Sequence, residues 1–272
     1  MHLGQPTPEA VGRLYDEATD LLLAAMGGNI HLGYWDDEDD DSPIGGATDR
    51  LTDLVGARLR PAPGQRVLDV GCGTGRSAAR ISADYGVHVT GVTVSAYQVE
   101  VARRSPPGAA GSTEFVLADA AARLPYPDGS FDAAYALESL LHIADHEAVL
   151  SQITRVLRPG GRVVVADACL RRRPDEGTLA VIAQMSAAFQ FADIPTRSEY
   201  HERLAAAGMT VIEYADIGEH VRRTYFSAAE TVRAAADGFD AQTAAEMAAT
   251  ADLLVGFGAL PDIGYALITA SA

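Results

Sequence analysis

The chain has 272 residues, of which 48% are hydrophobic and 21% charged, and its formal net charge is −16. These proportions and this length predict one large globular domain, or one domain with an insertion. A strongly acidic chain without lysine is a poor partner for nucleic acid, whose binding depends on basic side chains. No apolar run reaches the roughly 18 residues of a membrane helix. Cys72 and Cys169, the only two cysteines, suit a reducing compartment, so we expect a cytoplasmic protein without a membrane segment.

Two helices are predicted at the start of the chain. Apolar residues recur at helical spacing from Pro6 to Met26, and a second helical stretch runs from about Ile44 to Leu59. Between them, the segment GYWDDEDDDSP (33–43) carries six consecutive acidic side chains. Consecutive carboxylates point in different directions and do not converge on an ion. The sequence therefore favours a solvated loop here over a metal site, and we expect no metal.

Apolar segments and helical segments then alternate. The predicted strands of this region are residues 66–71, 87–94, 113–119, 131–137 and 161–170. Buried apolar strands that alternate with helices indicate a parallel sheet covered on both faces. A helical block follows at about 174–209, and two further strands are predicted at 210–217 and 264–270.

The segment VLDVGCGTGRSAARI (67–81) joins the first of these strands to a helix. Gly71, Gly73 and Gly75 allow a sharp turn and a close approach of the backbone to a ligand, where a Cβ would block it. The amides at the start of the following helix add the positive end of a dipole. Asp69, at the end of the strand, would repel a pyrophosphate but suits an amino group, at least through water.

The next two strand ends complete a candidate nucleotide site. Thr93 can hydrogen-bond a ribose hydroxyl. Gln98, in the pattern S-x-x-Q, either caps the next helix, contacts the ribose, or does both. Asp119 either accepts from an exocyclic amine such as adenine N6 or caps a short helix, and Ala120 follows it in the site.

Together these segments resemble the class I S-adenosylmethionine-dependent methyltransferases. The matching motifs are VLDVGCGTG, GVTVS, ADAAARLPYPDGSFD and RVLRPGGRVVVAD. The segments GGNIHLGYWDDEDDD and DIGYALITA are similar to natural-product methyltransferases of the rebeccamycin sugar 4'-O-methyltransferase type, so the resemblance spans nearly the whole chain. It implies an α/β, Rossmann-like fold of seven strands, with N-terminal helices, a helical lid insertion before the last two strands, and S-adenosylmethionine as cofactor.

This resemblance predicts four segments. They are a helical cap at 1–60, a cofactor-binding core at 61–170, a lid insertion at 171–209, and the completion of the sheet at 210–272. A homo-oligomer is one possibility, and the first helix packs either within its own subunit or on a neighbouring one. The large apolar side chains of the insertion are expected to be core rather than pocket residues: Met185, Phe189, Phe191 and Tyr200.

Methyl transfer to oxygen needs a base, and candidates are expected at the C-terminal ends of strands. Glu138 and His142 come from ALESLLH, and Asp167 from VVVAD. We expect His142 to act as the base and to contact the cofactor, Asp167 to orient the imidazole or take the proton, and Glu138 to shape the cofactor pocket. His31 is a candidate for facing the acceptor. Tyr15 resembles the family's lid tyrosine over the cofactor, with a plain core aromatic as the alternative.

One departure from the family concerns Leu141. The rebeccamycin-type enzymes carry two adjacent histidines where this chain has Leu141 and His142. An apolar pocket with a single histidine would suit methylation of an alkene carbon, so Leu141 leaves the choice between oxygen and carbon open. The predicted function is methyl transfer from S-adenosylmethionine to the oxygen or carbon of a bulky, largely apolar small molecule of secondary metabolism. The alternatives are a C-methyltransferase or cyclase acting on a prenyl or polyketide alkene, a cyclase without methyl transfer, and a non-catalytic cofactor-binding module.

Overall fold

The structure is a computed structural model that describes residues 5–104 and 110–272. Its strands are β1 Arg66–Val70, β2 His88–Thr93, β3 Ser112–Leu117, β4 Phe131–Leu137, β5 Leu157–Leu170, β6 Thr210–Asp216 and β7 Ile263–Ser271. Its α-helices are α1 Pro8–Ala25, α2 Ile44–Leu59, α3 Arg76–Tyr85, α4 Ala96–Arg104, α5 His146–Val156, α6 Glu176–Phe189, α7 Arg197–Ala206, α8 Gly218–Val221, α9 Arg223–Ala236 and α10 Ala241–Gly258. A single 3₁₀ turn, Leu140–His142, follows β4 in the described chain. The seven predicted strands are confirmed.

The strands form one sheet in the order β3-β2-β1-β4-β5-β7-β6. The first five strands are parallel, and β7 runs antiparallel to both β5 and β6. The predicted seven-stranded Rossmann-like fold is thus confirmed. The strand order reverses between β1 and β4, and ligands of such sheets bind outside the carboxyl ends of the strands at this reversal. The fold thereby brings the ends of β1, β2, β3 and β4 to one edge.

The sheet is covered on both faces, as the apolar strand pattern predicts. Successive strand residues point to opposite faces, so Val67 joins one apolar cluster and Leu68 the other. The first cluster contains Leu51 of α2 and Phe257 of α10, and the second contains Ile153 of α5. Each of these five side chains is at most 1% exposed. Burial of this kind stabilises the fold by roughly 25 cal/mol per Å² of apolar surface.

The helices between the last strands divide into two groups. Helix α7 packs on the sheet, where Tyr200 and Leu204 belong to the second apolar cluster. Helix α6 instead packs against α10, and α10 also contacts α9 along its length. Met185 of α6 is 3% exposed and lies in the first cluster. The expectation that Met185 and Tyr200 are core residues is therefore confirmed.

The acidic segment is an exposed loop that docks on α9. All of its carboxylate residues are exposed except Asp40, which is half-buried and forms an ion pair with Arg50. Hydrogen bonds from the hydroxyl of Ser42, from the amide of Asp36 and from Arg50 hold the pKa of the Asp40 carboxyl well below its usual value. Arg223 of α9 lies over the ring of Trp35 at 5.3 Å. The prediction of a loop is confirmed, and Asp40 binds residues of the loop and of α2.

Two features are absent from the described chain, which omits residues 1–4 and 105–109. No helix there combines the length and the apolar character needed to cross a membrane. No group of three or more histidine, cysteine, aspartate or glutamate side chains there is arranged to hold a metal ion.

Candidate active site

A cavity of about 290 Å³ opens at the C-terminal edge of the sheet, between β1, β2, β4 and helix α1. This is near the lower end of the size range of small-molecule sites. Every predicted site residue except Asp167 lines it: Tyr15, Asp69, Gly71, Gly73, Thr93, Gln98, Asp119, Ala120, Glu138 and His142. The cavity is therefore the place where the sequence motifs meet.

The glycine turn after β1 forms one wall of the cavity. Gly71 and Gly73 have φ angles of +77° and +52°, a region that glycine adopts without steric cost. A Cβ on Gly71 would lie 2.3 Å from the Cβ of Ser139, and one on Gly73 would lie 2.9 Å from Cδ1 of Ile30. The turn thus needs glycine both for its backbone conformation and for its packing against neighbouring segments.

The ends of β2 and α4 form the next wall. The hydroxyl of Ser95 accepts from the amide of Gln98 at 3.0 Å, which caps α4. The side chain of Gln98 accepts from the hydroxyl of Thr93 at 2.9 Å and donates to that of Thr19 in α1 at 3.4 Å. The amide of Gln98 is therefore capped, while its side chain links two cavity residues to α1. A ribose contact by Thr93 or Gln98 stays a prediction.

Two carboxylates lie at the ends of β1 and β3. Oδ1 of Asp119 accepts from the amide of Ala121 at 2.9 Å, the local bond of a turn, while the residue also lines the cavity. Asp69 accepts from the hydroxyl of Tyr135 at 2.6 Å. Burial raises the pKa of Asp69 to about 7, although the bond from Tyr135 opposes the shift. A buried carboxyl without a basic partner suits a ligand that carries an amino group.

His142 is held between α1 and the end of α6. Its Nδ1 lies 3.1 Å from the carbonyl oxygen of Gln190, so Nδ1 carries the proton and donates. Its Nε2 then accepts from the hydroxyl of Tyr15 at 2.8 Å. Burial lowers the pKa of His142 to about 4, which keeps the imidazole neutral at physiological pH. The ring of Phe191 packs against it edge-on, with centroids 5.5 Å apart.

Asp167 does not contact His142, which corrects the expectation that it orients the imidazole directly. Its two oxygens accept from the backbone amides of Leu141 at 3.0 Å and Ala168 at 2.9 Å. The side chain is fully buried, and burial raises the pKa of its carboxyl well above the usual value. The carbonyl of Gln190 takes the place that Asp167 was expected to fill at Nδ1. Asp167 acts on the loop that carries His142, through the amide of Leu141.

His31 also lines the cavity, but both of its nitrogens have protein partners. Nδ1 lies 2.8 Å from the carbonyl oxygen of Leu32, and Nε2 lies 3.2 Å from Thr52 and 3.3 Å from Ser77. Burial lowers the pKa of His31 to about 4. The imidazole is therefore a neutral part of the wall.

Several partners were not predicted from the sequence. Gln190 acts through its backbone carbonyl, which no side-chain pattern reveals, although its φ of +56° follows from its place at the end of α6. Tyr135 and Tyr265 bind Asp69 and Glu138, and each looked like an ordinary apolar strand residue. Their alternation with smaller residues was the only available signal.

The sheet order, the glycine turn and the cavity define a class I methyltransferase. The comparisons with known proteins agree. A family described as "Methyltransferase domain" matches residues 68–165. The "O-methyltransferase cnsE" of Penicillium expansum is 42% identical over 270 residues, covering 97% of this chain and 93% of that protein. The "27-O-demethylrifamycin SV methyltransferase" of Amycolatopsis mediterranei (strain S699) is 36% identical over 273 residues, covering 98% of each chain.

Among solved structures, the crystal structure of "the [4+2]-Cyclase SpnF" superimposes with a TM-score of 0.83 at 34% identity, covering 98% of this chain and 96% of that one. The chain belongs to the class I S-adenosylmethionine-dependent methyltransferases, and S-adenosylmethionine is its cofactor.

Proposed function

We propose that this enzyme transfers a methyl group to a hydroxyl of a bulky, largely apolar natural product. The observation that carries the proposal is the pair formed by His142 and Tyr15. A neutral imidazole accepts a hydrogen bond at 2.8 Å from a phenol that itself lines the cavity. A base and a proton carrier at the cavity wall serve methyl transfer to oxygen, because the acceptor hydroxyl must lose a proton.

The cavity residues suit the cofactor. Asp69 fits the ammonium group of the methionine part, and Asp119 fits the exocyclic amine of the adenine. Thr93 and Gln98 present hydroxyl and amide groups for the ribose, and the turn at Gly71 lets the backbone approach closely. When bound, S-adenosylmethionine would supply a methyl group on a positively charged sulfur. The acceptor oxygen would take the methyl carbon, and S-adenosylhomocysteine would be the leaving group.

The proton of the acceptor hydroxyl leaves through Tyr15. Because the hydroxyl of Tyr15 occupies the lone pair of Nε2, the phenol oxygen accepts the proton of the acceptor while its own proton moves to His142. The carbonyl of Gln190 fixes the opposite nitrogen as a donor, so Nε2 is the nitrogen that receives the proton. The imidazolium that forms keeps its bond to Gln190.

Asp167 and Glu138 are positioning residues in this account. Asp167 holds the amide of Leu141, and the carbonyl of Leu141 accepts from the amide of Ala192 at 2.7 Å. The turn that carries His142 is thereby tied to the segment after α6. Glu138 precedes this turn and accepts from the amide of Leu32 at 2.7 Å. Neither residue needs to exchange a proton with the acceptor.

The apolar lining of the cavity and the relatives support the acceptor class. Apolar side chains that line the cavity include Val11, Ile30, Leu137 and Ile143. The names of two long relatives describe O-methyltransferases, one of them acting on a demethylrifamycin. Within this class, the resemblance of the N-terminal segment favours a hydroxyl of a glycosylated aromatic compound.

We place the enzyme in the cytoplasm, where the free, buried thiols of Cys72 and Cys169 would stay reduced.

A second candidate is a cyclase that keeps the fold and cofactor without methyl transfer. It is favoured by the 34% identity and full-length match to the [4+2]-cyclase. Methylation of an alkene carbon had rested on Leu141 as an apolar pocket residue. Leu141 is 4% exposed and does not line the described cavity, so this argument loses its support.

The test is a mass-resolved assay with methyl-labelled S-adenosylmethionine and two panels, hydroxylated or glycosylated aromatics and prenylated or polyene compounds. The proposal expects S-adenosylhomocysteine to form in equal amount with a product that carries one labelled methyl group on oxygen. A product of unchanged mass without S-adenosylhomocysteine would assign the cyclase activity instead.

A further inference from the structure

The charged side chains that line the cavity are mostly acidic. Four of its lining residues carry carboxyl groups: Asp69, Asp119, Glu138 and Asp145. Arg76 is the only arginine of the described residues that lines it, and the whole chain has no lysine. An anionic group of a ligand therefore finds carboxyl groups at most walls of the cavity and a basic side chain at one place. Such a group favours the place with the opposite charge.

The two histidines of the cavity do not add a second positive charge. Each ring nitrogen of His31 and of His142 already has a hydrogen-bond partner within the protein. Both rings are buried, and burial lowers the pKa of each imidazole to about 4, so both are neutral at physiological pH. Within the part of the chain that the structure describes, Arg76 is thus the one cationic side chain of the lining.

One edge of the Arg76 guanidinium is fixed, while its Nη1 nitrogen is free. Asp49 of α2 accepts from Nε at 3.3 Å and from Nη2 at 3.1 Å. The Asp49 carboxylate is itself held by the side-chain amide of Asn29 at 3.0 Å and by Arg80 at 3.3 Å. Nη1 of Arg76 has no hydrogen bond to any residue in the ranges 5–104 and 110–272. Since a guanidinium carries five N–H donors in a rigid plane, it can donate from Nη1 and keep its pair with Asp49.

The free Nη1 lies where the segment before α2 meets the glycine turn. A Cβ on Gly28 would lie 2.8 Å from Nη1, so the absence of a side chain there leaves room for the guanidinium. Ile30, two residues further on, lies so close to Gly73 of the turn that a Cβ on Gly73 would be 2.9 Å from its Cδ1. Ile30, Gly73 and Arg76 all line the cavity. Arg76 is therefore held at the end of the cavity that the glycine turn closes.

We propose that Arg76 binds the carboxylate of the methionine part of S-adenosylmethionine through Nη1. This carboxylate is the one anionic group of the cofactor, and a hydrogen bond from a guanidinium to a carboxylate is among the strong ones. Asp49 fixes the plane of the guanidinium, so the donor is in place before the cofactor binds. The inference concerns the cofactor alone and does not depend on which acceptor is methylated, so it stands or falls separately from O-methylation.

The test is calorimetric binding of two ligands to the whole enzyme, wild type against Arg76→Gln. The first ligand is S-adenosylhomocysteine. The second is its decarboxylated analogue, which keeps the ammonium group, the sulfur and the nucleoside. We expect Arg76→Gln to bind S-adenosylhomocysteine about tenfold more weakly than the wild type, the size expected for a charged hydrogen bond in a half-exposed position. The analogue should bind both enzymes equally, which also shows that the variant is folded.

Two further variants separate this contact from a general effect of charge. Arg76→Lys keeps a cation and should recover part of the affinity for S-adenosylhomocysteine. Arg80→Gln removes the same charge one turn further along α3, at a side chain that does not line the cavity, and should leave the ratio of the two affinities unchanged.

Three results overturn the proposal. Unchanged binding of S-adenosylhomocysteine in Arg76→Gln would mean that other groups, such as backbone amides, hold the carboxylate. Equal losses for both ligands would mean that Arg76 only supports the wall of the cavity. An equally selective loss in Arg80→Gln would mean that the effect is one of net charge.

Discussion

The two sides of the cavity are built differently. On the proposed cofactor side, Gly71, Thr93 and Asp119 lie at or just after the ends of strands, so the sheet and its turns place them. On the acceptor side, His142 is held by Tyr15 of α1 and by a carbonyl after α6, both far away in sequence. The first side needs the sheet, its glycine turn and one contact to α1 through Thr19. The second depends on α1 and also on the segment after α6, so its geometry rests on parts of the chain that are far from His142 in sequence.

The largest expected effect is the loss of stability when a Cβ is added in the glycine turn on the cofactor side. Gly71→Ala places a Cβ 2.3 Å from Ser139 at a φ of +77°. We expect a loss of more than about 3 kcal/mol of unfolding free energy, as for severe overpacking, and no measurable binding of S-adenosylhomocysteine. Gly64→Ala has a similar φ of +80° with nothing within 4 Å, and we expect it to cost only about 1 kcal/mol. Equal urea midpoints for the two variants would contradict the packing argument.

On the acceptor side, His142→Gln should separate binding from chemistry. We expect kcat to fall by about 10²- to 10⁴-fold because the base is lost. The affinity for S-adenosylhomocysteine, measured by calorimetry, should change by much less than kcat. His88→Gln, at an exposed histidine of β2, is the control and should keep full activity. A kcat that survives in His142→Gln would show that another group takes the proton.

A smaller effect distinguishes a proton carrier from a lid at the same position. Tyr15→Phe keeps the ring and removes the hydroxyl, so we expect kcat to fall by roughly 10- to 100-fold, a part of the acid–base contribution. Tyr97→Phe is the control, because Tyr97 ties α4 to α1 through Asp20 at 2.8 Å without contacting His142. It should affect cofactor binding more than kcat. If Tyr15→Phe were as fast as the wild type or faster, its hydroxyl would only block the base.

The remaining predictions concern how stability changes with pH, and they have opposite signs on the two sides. The pKa of Asp69 is raised to about 7, so the folded state binds more protons than the unfolded state between about pH 4 and pH 7. The wild type should therefore gain stability over Asp69→Asn as the pH falls from 7 to 4. The pKa of His142 is lowered to about 4, so the wild type should lose stability relative to His142→Gln as the pH falls from 6.5 to 4. Each slope should be roughly 1 kcal/mol per pH unit.

Urea unfolding at several pH values measures both differences. Flat differences for both variants would mean that these groups titrate as they do in water, and slopes of the same sign would mean that one of the two pKa values is shifted in the opposite direction.

The sequence was most informative where local chemistry decides the structure. The glycine turn, the strand ends and the cofactor follow from short motifs, because each reports a backbone requirement or a residue type at a fixed place. The predicted pairing of Asp167 with His142 was wrong, because a backbone carbonyl can replace a carboxylate at Nδ1 and leaves no trace in the residue types. Tyr135 and Tyr265 were missed for a related reason. When the ring of a strand tyrosine packs in the core, the sequence does not reveal which residue its hydroxyl contacts.

The comparison also explains why the acceptor was harder to predict than the cofactor. The resemblance to rebeccamycin-type enzymes implies a histidine where this chain has Leu141, and the sequence alone suggested an apolar pocket for an alkene. In the fold this side chain is buried away from the cavity, and only its backbone takes part, binding Asp167 and Ala192. A residue type is informative about a ligand only when its side chain reaches the ligand.

The most direct test of the account is the position of the transferred methyl group. With S-adenosylmethionine carrying a ¹³C-labelled methyl group, the product of the best acceptor is examined by NMR spectroscopy. The account predicts a single labelled methyl signal in the O-methyl region for the wild type, and none within the same reaction time for His142→Gln. A labelled methyl group on carbon, or a rearranged product without label, would contradict it.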